Sequence, residues 1–275
     1  MAIDALFRRV LTQRAAIQLM SATCILLFLI TVFSIKLQAP EQLPQSTLFY
    51  LDDSQRQYQI NTLPAATSGK WQALDRFQLA LPMSETPHWV SFTVASLKSN
   101  EHWLLELNNP FIDHVSVWFI ENNQLLDHYQ TGDSQPFASR VMPYETFLFP
   151  VPKFDDELRV VMRISSEGTL QVPIHLWAES DFLVFNGEHS VLMGLFFGIL
   201  FAMGISNLFF FVISRQPVFL LYAGYVLSFA LLLSAMQGLG YKYIWSESPW
   251  MQKNSVSLWA NATVFYAIVF TNVLL

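Results

Sequence analysis

Four long runs without a charged residue limit what this chain can fold into. Ala15–Ile35, Val191–Ile213 and Val218–Leu239 hold 21, 23 and 22 residues, and Leu258–Leu275 holds 18. A helix of about 20 apolar residues crosses a bilayer. Four such runs within 275 residues argue against burial in a soluble core, so we interpret them as transmembrane helices.

The first apolar run has two interpretations. Residues 15–36 follow a basic start, residues 1–14, which is also how a signal peptide begins. The apolar part is longer than the roughly 7–15 residues usual in signal peptides, and no A-x-A cleavage site follows it. An uncleaved transmembrane anchor is therefore favoured over a cleaved signal sequence, and both interpretations stay open.

The distribution of basic residues predicts the orientation in the membrane. Arg8, Arg9 and Arg14 precede the first run, and such clusters stay in the cytoplasm. Residues 1–14 are then cytoplasmic, residues 40–188 lie outside, and residues 189–275 form three transmembrane helices. Lys242 and Lys253 fall on the outer side against the rule, but they are two scattered charges against three clustered ones.

Charge and cysteine content exclude several classes of function. The net charge is −6, and residues 40–188 hold 8 basic and 19 acidic side chains. Such a surface repels nucleic acid, so we expect no nucleic-acid partner. The single cysteine, Cys24, cannot form an internal disulfide or a cysteine-based zinc or iron–sulfur site. No metal-binding, phosphate-binding or nucleophile motif occurs, and we expect no cofactor and no catalytic residue.

The region between the first two apolar runs alternates like a sheet protein. Val90, Phe92 and Val94 share one face of a short run, and the same period of two recurs in several later runs. Turn-forming residues such as Asn108-Asn109-Pro110 separate these runs. The pattern predicts an all-β domain over residues 40–180, a β-sandwich or jelly roll, followed by transmembrane α-helices.

Several stretches together resemble one bacterial receptor family: the seven-transmembrane receptors with diverse intracellular signalling modules, of the type with the second class of extracellular domain. The matching stretches include 88–92, 103–115, 136–140, 158–166, 194–198, 207–210, 220–222 and 238–245. The resemblance implies a periplasmic jelly roll similar to carbohydrate-binding modules, then seven helices and a cytoplasmic output module. Only three of those helices lie in this chain, so we expect a truncated seven-helix domain without its output module, which is a diguanylate cyclase or histidine kinase in similar proteins.

Four side chains are candidates for a ligand site in the predicted domain. Trp89 and Trp118 point away from the inward Val and Phe of their own strands, and Arg140 and Arg163 supply fixed donors. Flat aromatic rings with directed polar groups are typical of carbohydrate sites. Core packing is the alternative for both tryptophans, and a structural ion pair with an acidic neighbour is the alternative for Arg140.

Three residues of the apolar runs are candidates for membrane packing. Gly194 and Gly198 form a G-x-x-x-G pair that allows close helix approach, within this chain or in a homodimer. Asn207 is a lone amide in an apolar run, so we expect it to have a partner within the bundle. An interfacial aromatic belt is predicted from Tyr241, Tyr243, Trp245 and Trp250.

The leading functional hypothesis is a multi-pass sensor in the bacterial inner membrane. Its periplasmic domain would bind a small molecule, with carbohydrate as the expected class, and its helices would carry the signal inward. The partners expected are this ligand, the lipid bilayer and a second copy of the chain. A non-signalling envelope binding protein and a membrane-tethered periplasmic hydrolase remain as alternatives.

Overall fold

The computed structural model describes residues 47–64, 69–74, 78–81, 84–95, 97, 101–168 and 170–274. The predicted cytoplasmic segment 1–14 and the predicted anchor or signal sequence 15–36 lie outside the described residues. The prediction for these two segments therefore stays a prediction.

Ten strands form two antiparallel sheets in the described region. The larger sheet has the order β2-β1-β4-β9-β6-β7, and the smaller has the order β3-β10-β5-β8. The strands are β1 (Leu48–Asp52), β2 (Gln72–Leu74), β3 (Gln78–Leu81), β4 (Ser84–Ala95), β5 (Trp103–Leu107), β6 (His114–Glu121), β7 (Gln124–Thr131), β8 (Phe147–Val151), β9 (Glu157–Ser166) and β10 (Leu170–Ala178). The non-sequential strand order shows that the chain crosses repeatedly between the sheets, as in a sandwich.

The two sheets enclose one apolar core. The alternating residues predicted to point inward do so and are buried, among them Val90, Phe92, Val117, Leu105 and Phe149. Burying the large apolar side chains of one face from each sheet is the main stabilising contribution in such a sandwich. The predicted all-β domain is confirmed.

A segment without regular alternation covers part of the outer face of the larger sheet. We call residues 53–64 the cover segment; it includes a short 3-10 helix, Ile60–Thr62. Tyr58, Ile60 and Leu63 of this segment pack over Trp89 and its neighbours on the sheet. Part of the larger sheet is therefore buried on both faces.

Four helices follow the sandwich within the described residues: α1 (Glu179–Ser214), α2 (Pro217–Met236), α3 (Leu239–Tyr243) and α4 (Pro249–Leu274). The first, second and fourth of these are long and apolar enough to cross a membrane. The predicted transmembrane helices after the sandwich are confirmed by this length and composition. Arg215 and Gln216 form the tight connection between α1 and α2, where the sequence predicts a turn.

Helix α1 begins on the sandwich and continues directly into its membrane-spanning part. The backbone N–H of Glu179 donates to the carbonyl of His102, and Phe182 and Phe185 pack on Trp177 of β10. With 36 residues the helix is about 54 Å long, well beyond the roughly 30 Å of a bilayer core. Residues 181–188, left between the two predicted domains, are helical, so no flexible linker separates them.

The connection between α2 and α4 forms a second contact with the sandwich. Phe137 donates its backbone N–H to the carbonyl of Ser246, at 2.9 Å. The Tyr241 hydroxyl donates to the carbonyl of Gln135. The Lys242 ammonium lies 3.0 Å from Glu145. These contacts gather the loops at one end of the sandwich against residues 237–248, and we call this region the junction.

Candidate ligand-binding cavity

A cavity of about 570 Å³ lies beside the junction, between the outer face of the larger sheet and the first turn of α4. Its walls come from the ends of β6, β7 and β9 and from the start of α4. The side chains that matter below are Ser116, Gln130, Asp113, Asp133, Arg163, Glu167, Trp250 and Lys253. The volume is typical of a small-molecule site, and this lining is more polar than usual.

Arg163 forms the wall on the side of the sheet. It lies on β9 opposite Ser116 of β6, and its side chain is exposed. Its guanidinium carbon lies 5.9 Å from the ring centre of Trp89, in cation–π contact. Among the described residues, no carboxylate forms an ion pair with Arg163.

Trp89 supports this arginine from below. Its side chain is 1% exposed, and its Nε1–H donates to Asp53 Oδ2 at 3.1 Å. Asp53 also accepts the backbone N–H of Gln57, at 2.8 Å, which ties the cover segment to the same point. The indole is therefore held in one orientation, and its ring packs inside the protein and is not open to a ligand.

Two aspartates form the acidic side of the cavity. Asp133 is 6% exposed, and its carboxyl group is hydrogen-bonded to that of Asp113. Burial, and after it the neighbouring Asp113, raise the pKa of Asp133 to about 7, although the charge of Arg140 acts in the opposite direction. The Asp133 carboxyl group therefore takes up a proton near neutral pH.

The third wall belongs to α4. Lys253 Nζ lies 2.5 Å from Glu167 Oε2 at the end of the β9 strand, so an ion pair links the helix to the sandwich. Trp250, one turn earlier, is 70% exposed. A molecule in the cavity would touch both the sandwich and a helix of the membrane part.

Arg140 lies inside the junction, behind the acidic side of the cavity. It is 7% exposed, and its guanidinium donates to the carbonyls of Glu145 at 2.8 Å and Tyr144 at 3.2 Å. It also lies 4.2 Å from the ring centre of Phe147. Burial lowers the pKa of Arg140 to about 10. In this position Arg140 is held by carbonyls and aromatic rings, and the charges of Asp133 and Glu145 also act on it.

Trp118 lies on the outer face of the larger sheet but does not line the cavity. Its ring stacks between Trp89, at 5.5 Å, and His128, at 4.8 Å. Of the four predicted ligand residues, the structure therefore places Arg163 alone in the cavity wall. Trp89, Trp118 and Arg140 support the surrounding structure, and a direct ligand role for them stays a prediction.

The close helix contacts lie at other glycines than the predicted pair. A Cβ atom at Gly194 or Gly198 would meet no described atom within 4 Å. A Cβ atom at Gly204 would lie 2.8 Å from Leu227, and one at Gly224 would lie 2.5 Å from Tyr266. Here α1 approaches α2, and α2 approaches α4, so closely that a Cβ atom would require the facing Leu227 or Tyr266 side chain to shift.

Asn207 finds its partner in its own helix. Its side-chain amide donates to the carbonyl of Met203, one turn earlier, at 2.8 Å. The partner that the sequence predicts within the bundle is therefore, for this donor, a carbonyl of the same helix. The proposed roles of Gly194 and Gly198 in a homodimer stay predictions.

The predicted aromatic belt divides into two groups. Tyr243 and Trp250 are exposed, as an interfacial position requires. Tyr241 and Trp245 are buried in a cluster with Phe137 of the sandwich. These two side chains dock the membrane part onto the sandwich.

Sequence reasoning missed a buried carboxylate on the outer face of the smaller sheet. Glu106 is buried and accepts hydrogen bonds from Thr146, at 2.8 Å, and from the indole of Trp177, at 2.7 Å. His175 Nδ1 lies 3.3 Å from the same carboxylate. The signal was present, because Glu106 interrupts the apolar run Trp103–Leu107 on the face that α1 covers.

Comparison with known families identifies both parts of the chain. The family model described as 7TMR-DISM extracellular 2 matches residues 45–178, and the one described as 7TM diverse intracellular signalling matches residues 189–275. The chain belongs to this receptor family. The resemblance stated from sequence is confirmed, and the protein combines an outward-facing sensor domain with a membrane domain.

Comparisons with curated proteins and with solved structures do not extend this family assignment. A search of curated proteins found no match. Among solved structures, the enzymatically active domain of tailspike protein 4 of bacteriophage CBA120 is similar to half of the chain, with 12% identity and a TM-score of 0.25. The match covers 50% of this chain and 20% of that one. We draw no conclusion about fold or function from so low a score.

Proposed function

We propose that this protein is a multi-pass receptor of the bacterial inner membrane that binds a small ligand with its periplasmic sandwich, residues 40–180. Carbohydrate is the ligand class that we propose. The helices would carry the signal to a cytoplasmic output module outside this chain, a diguanylate cyclase or a histidine kinase as in similar proteins. The sandwich binds and does not catalyse in this proposal.

The observation that carries the proposal is the shared cavity. Arg163 and Asp133 belong to the sandwich, whereas Trp250 and Lys253 belong to α4. A ligand can shift a conformational equilibrium only if it binds the two states with different affinity. A site whose walls move relative to each other provides that difference, because closing or opening the Lys253–Glu167 contact changes what the ligand touches.

The continuous helix α1 supports transmission over the required distance. Its start is fixed on the smaller sheet, with Phe185 stacked on Trp177 at 4.9 Å. The remainder crosses the apolar layer without a break. A displacement of the sandwich would therefore move the helix as a rigid element.

The ligand site can be tested with the full chain in lipid nanodiscs. We would titrate glycans and small metabolites by calorimetry and compare Trp250→Ala with Tyr243→Ala. Both aromatics are exposed, but only Trp250 lines the cavity. Since stacking contributes about 0.5–1.5 kcal/mol, Trp250→Ala should weaken binding about 2- to 12-fold. Equal affinities in the two variants would exclude this cavity as the site, and turnover of a ligand would refute the non-catalytic role.

The orientation can be tested with reporter fusions. A reporter that works only in the cytoplasm should be active after Gln216. One that works only outside should be active after Gly132. The reasons are the basic cluster before the first apolar run and the acidic sandwich between the first two runs. The opposite result for both fusions would overturn the proposed topology.

A further inference from the structure

The charges around the cavity leave one cation without a counter-charge. Lys253 is paired with Glu167. Asp113 and Asp133 share a hydrogen bond between their carboxyl groups, and the buried guanidinium of Arg140 lies behind them. Arg56 also lines the cavity but has an interaction of its own. Arg163, by contrast, forms no ion pair with a carboxylate among the described residues that line the cavity.

The surroundings of Arg163 also favour ligand binding by its guanidinium. Its guanidinium lies over Trp89, which is buried and fixed by the hydrogen bond to Asp53. The cation–π contact holds the guanidinium near a fixed ring, while the exposed side chain leaves its N–H donors available. A planar fork of donors matches the two oxygens of a carboxylate.

We propose that the cavity binds a ligand with a carboxylate group, such as a hexuronate, and that Arg163 holds this carboxylate through two parallel hydrogen bonds. The inference rests on the proposed function, in which this cavity is the ligand site. Ser116 and Gln130, which face each other on β6 and β7, offer donors and acceptors for hydroxyl groups. Trp250 offers an aromatic face to the sugar ring.

A monoanion fits this site better than a phosphate. A phosphate monoester carries about −1.5 to −2 charges at neutral pH and needs more than one cation. Lys253 is already engaged by Glu167 at 2.5 Å, and the nearby aspartates repel a second negative charge. A single carboxylate balances the single unpaired guanidinium.

The test uses the full chain in nanodiscs and four probes: D-glucuronate, D-glucose, D-glucosamine and glucose 6-phosphate. We expect glucuronate to bind at least about tenfold more tightly than the other three. Glucose and glucosamine lack the carboxylate that accepts the charged hydrogen bonds of Arg163, and glucose 6-phosphate brings a second negative charge close to the aspartates. Arg163→Gln should reduce the affinity for glucuronate to that for glucose. Arg163→Lys, which keeps the charge but loses the fork, should give an intermediate affinity.

Arg159→Gln is the matched control. Arg159 lies on the same strand and the same face, but it donates to Ser91 and does not line the cavity. It should bind glucuronate as the wild type does. Equal binding of glucose and glucuronate by the wild type would overturn the carboxylate inference and leave the ligand site intact. No binding of any probe by the wild type would overturn both the inference and the proposed carbohydrate class.

Discussion

Replacing Asp133 with asparagine should make the protein more stable at alkaline pH. The Asp133 carboxyl group is buried beside Asp113, and its pKa is raised to about 7, mainly by burial. Arg140 and Lys253 lower the pKa but do not cancel this effect. Asparagine keeps the size and can still donate to Asp113, but it never ionises.

The size of the effect follows from the two pKa values of Asp133. The unfolded chain has the ordinary value of 3.8 and the folded chain has about 7, so the folded state binds the extra proton between these values. Stability therefore falls as the pH rises from about 4 to 7, by up to about 4 kcal/mol in total. The loss is absent in Asp133→Asn, so its advantage over the wild type should grow by about 2–3 kcal/mol between pH 5 and pH 8.

Thermal unfolding of the full chain in nanodiscs, followed by tryptophan fluorescence, measures this difference. We expect the advantage of Asp133→Asn in Tm to increase by roughly 5–10 °C between pH 5 and pH 8. Asp155→Asn, in an exposed turn, is the control and should follow the wild type at every pH. If the difference in Tm between Asp133→Asn and the wild type does not grow between pH 5 and pH 8, the pKa of Asp133 is not raised in the folded protein and the reasoning fails.

Three further substitutions test contacts within the sandwich and at the junction by the same unfolding measurement. Arg140→Ala should lower the free energy of unfolding by about 3 kcal/mol or more, because it removes charged hydrogen bonds to buried carbonyls. A smaller loss of stability than in Arg163→Ala, which removes an exposed side chain, would contradict this. Gly238→Ala should destabilise the junction, since its φ is 77° and a Cβ would lie 2.6 Å from the Glu145 carbonyl oxygen; an unchanged Tm would refute the close contact. Glu106→Ala should lower the free energy of unfolding by about 2–4 kcal/mol, because it leaves the Trp177 and Thr146 donors unpaired. If the variant is as stable as the wild type, water replaces the carboxylate.

The sandwich was predictable because its signal is local. Alternation of large apolar side chains places Val90, Phe92 and Val94 on the inner face, and this holds whatever the neighbouring strand is. The same alternation correctly predicts that Trp89 and Arg163 lie on the outer face of the larger sheet. It could not show that the cover segment buries Trp89, since residues 53–64 have no periodic pattern and their position depends on Asp53 binding the indole.

The cavity could not be predicted because its members are distant in sequence. Lys253 and Glu167 are 86 residues apart, and neither belongs to a recognisable motif. Asp133 looks like an ordinary turn residue in Thr131–Ser134, and only the folded structure shows it buried against Asp113. Side chains that are far apart in the sequence meet here because the sheet order brings β9 beside β6 and the junction brings α4 to both.

In the proposed orientation, the two lysines that contradict the positive-inside rule have a structural explanation. Lys242 pairs with Glu145 and Lys253 pairs with Glu167, so both ammonium groups bind carboxylates of the acidic sandwich. The rule describes how free basic residues near a helix end resist translocation. Two scattered lysines therefore affect the orientation less than a cluster of three arginines does. Their pairing also fixes where the sandwich sits on the helices. Because one of these pairs forms a wall of the cavity, a ligand that competes for Glu167 or Lys253 would act directly on the contact that holds the two parts together.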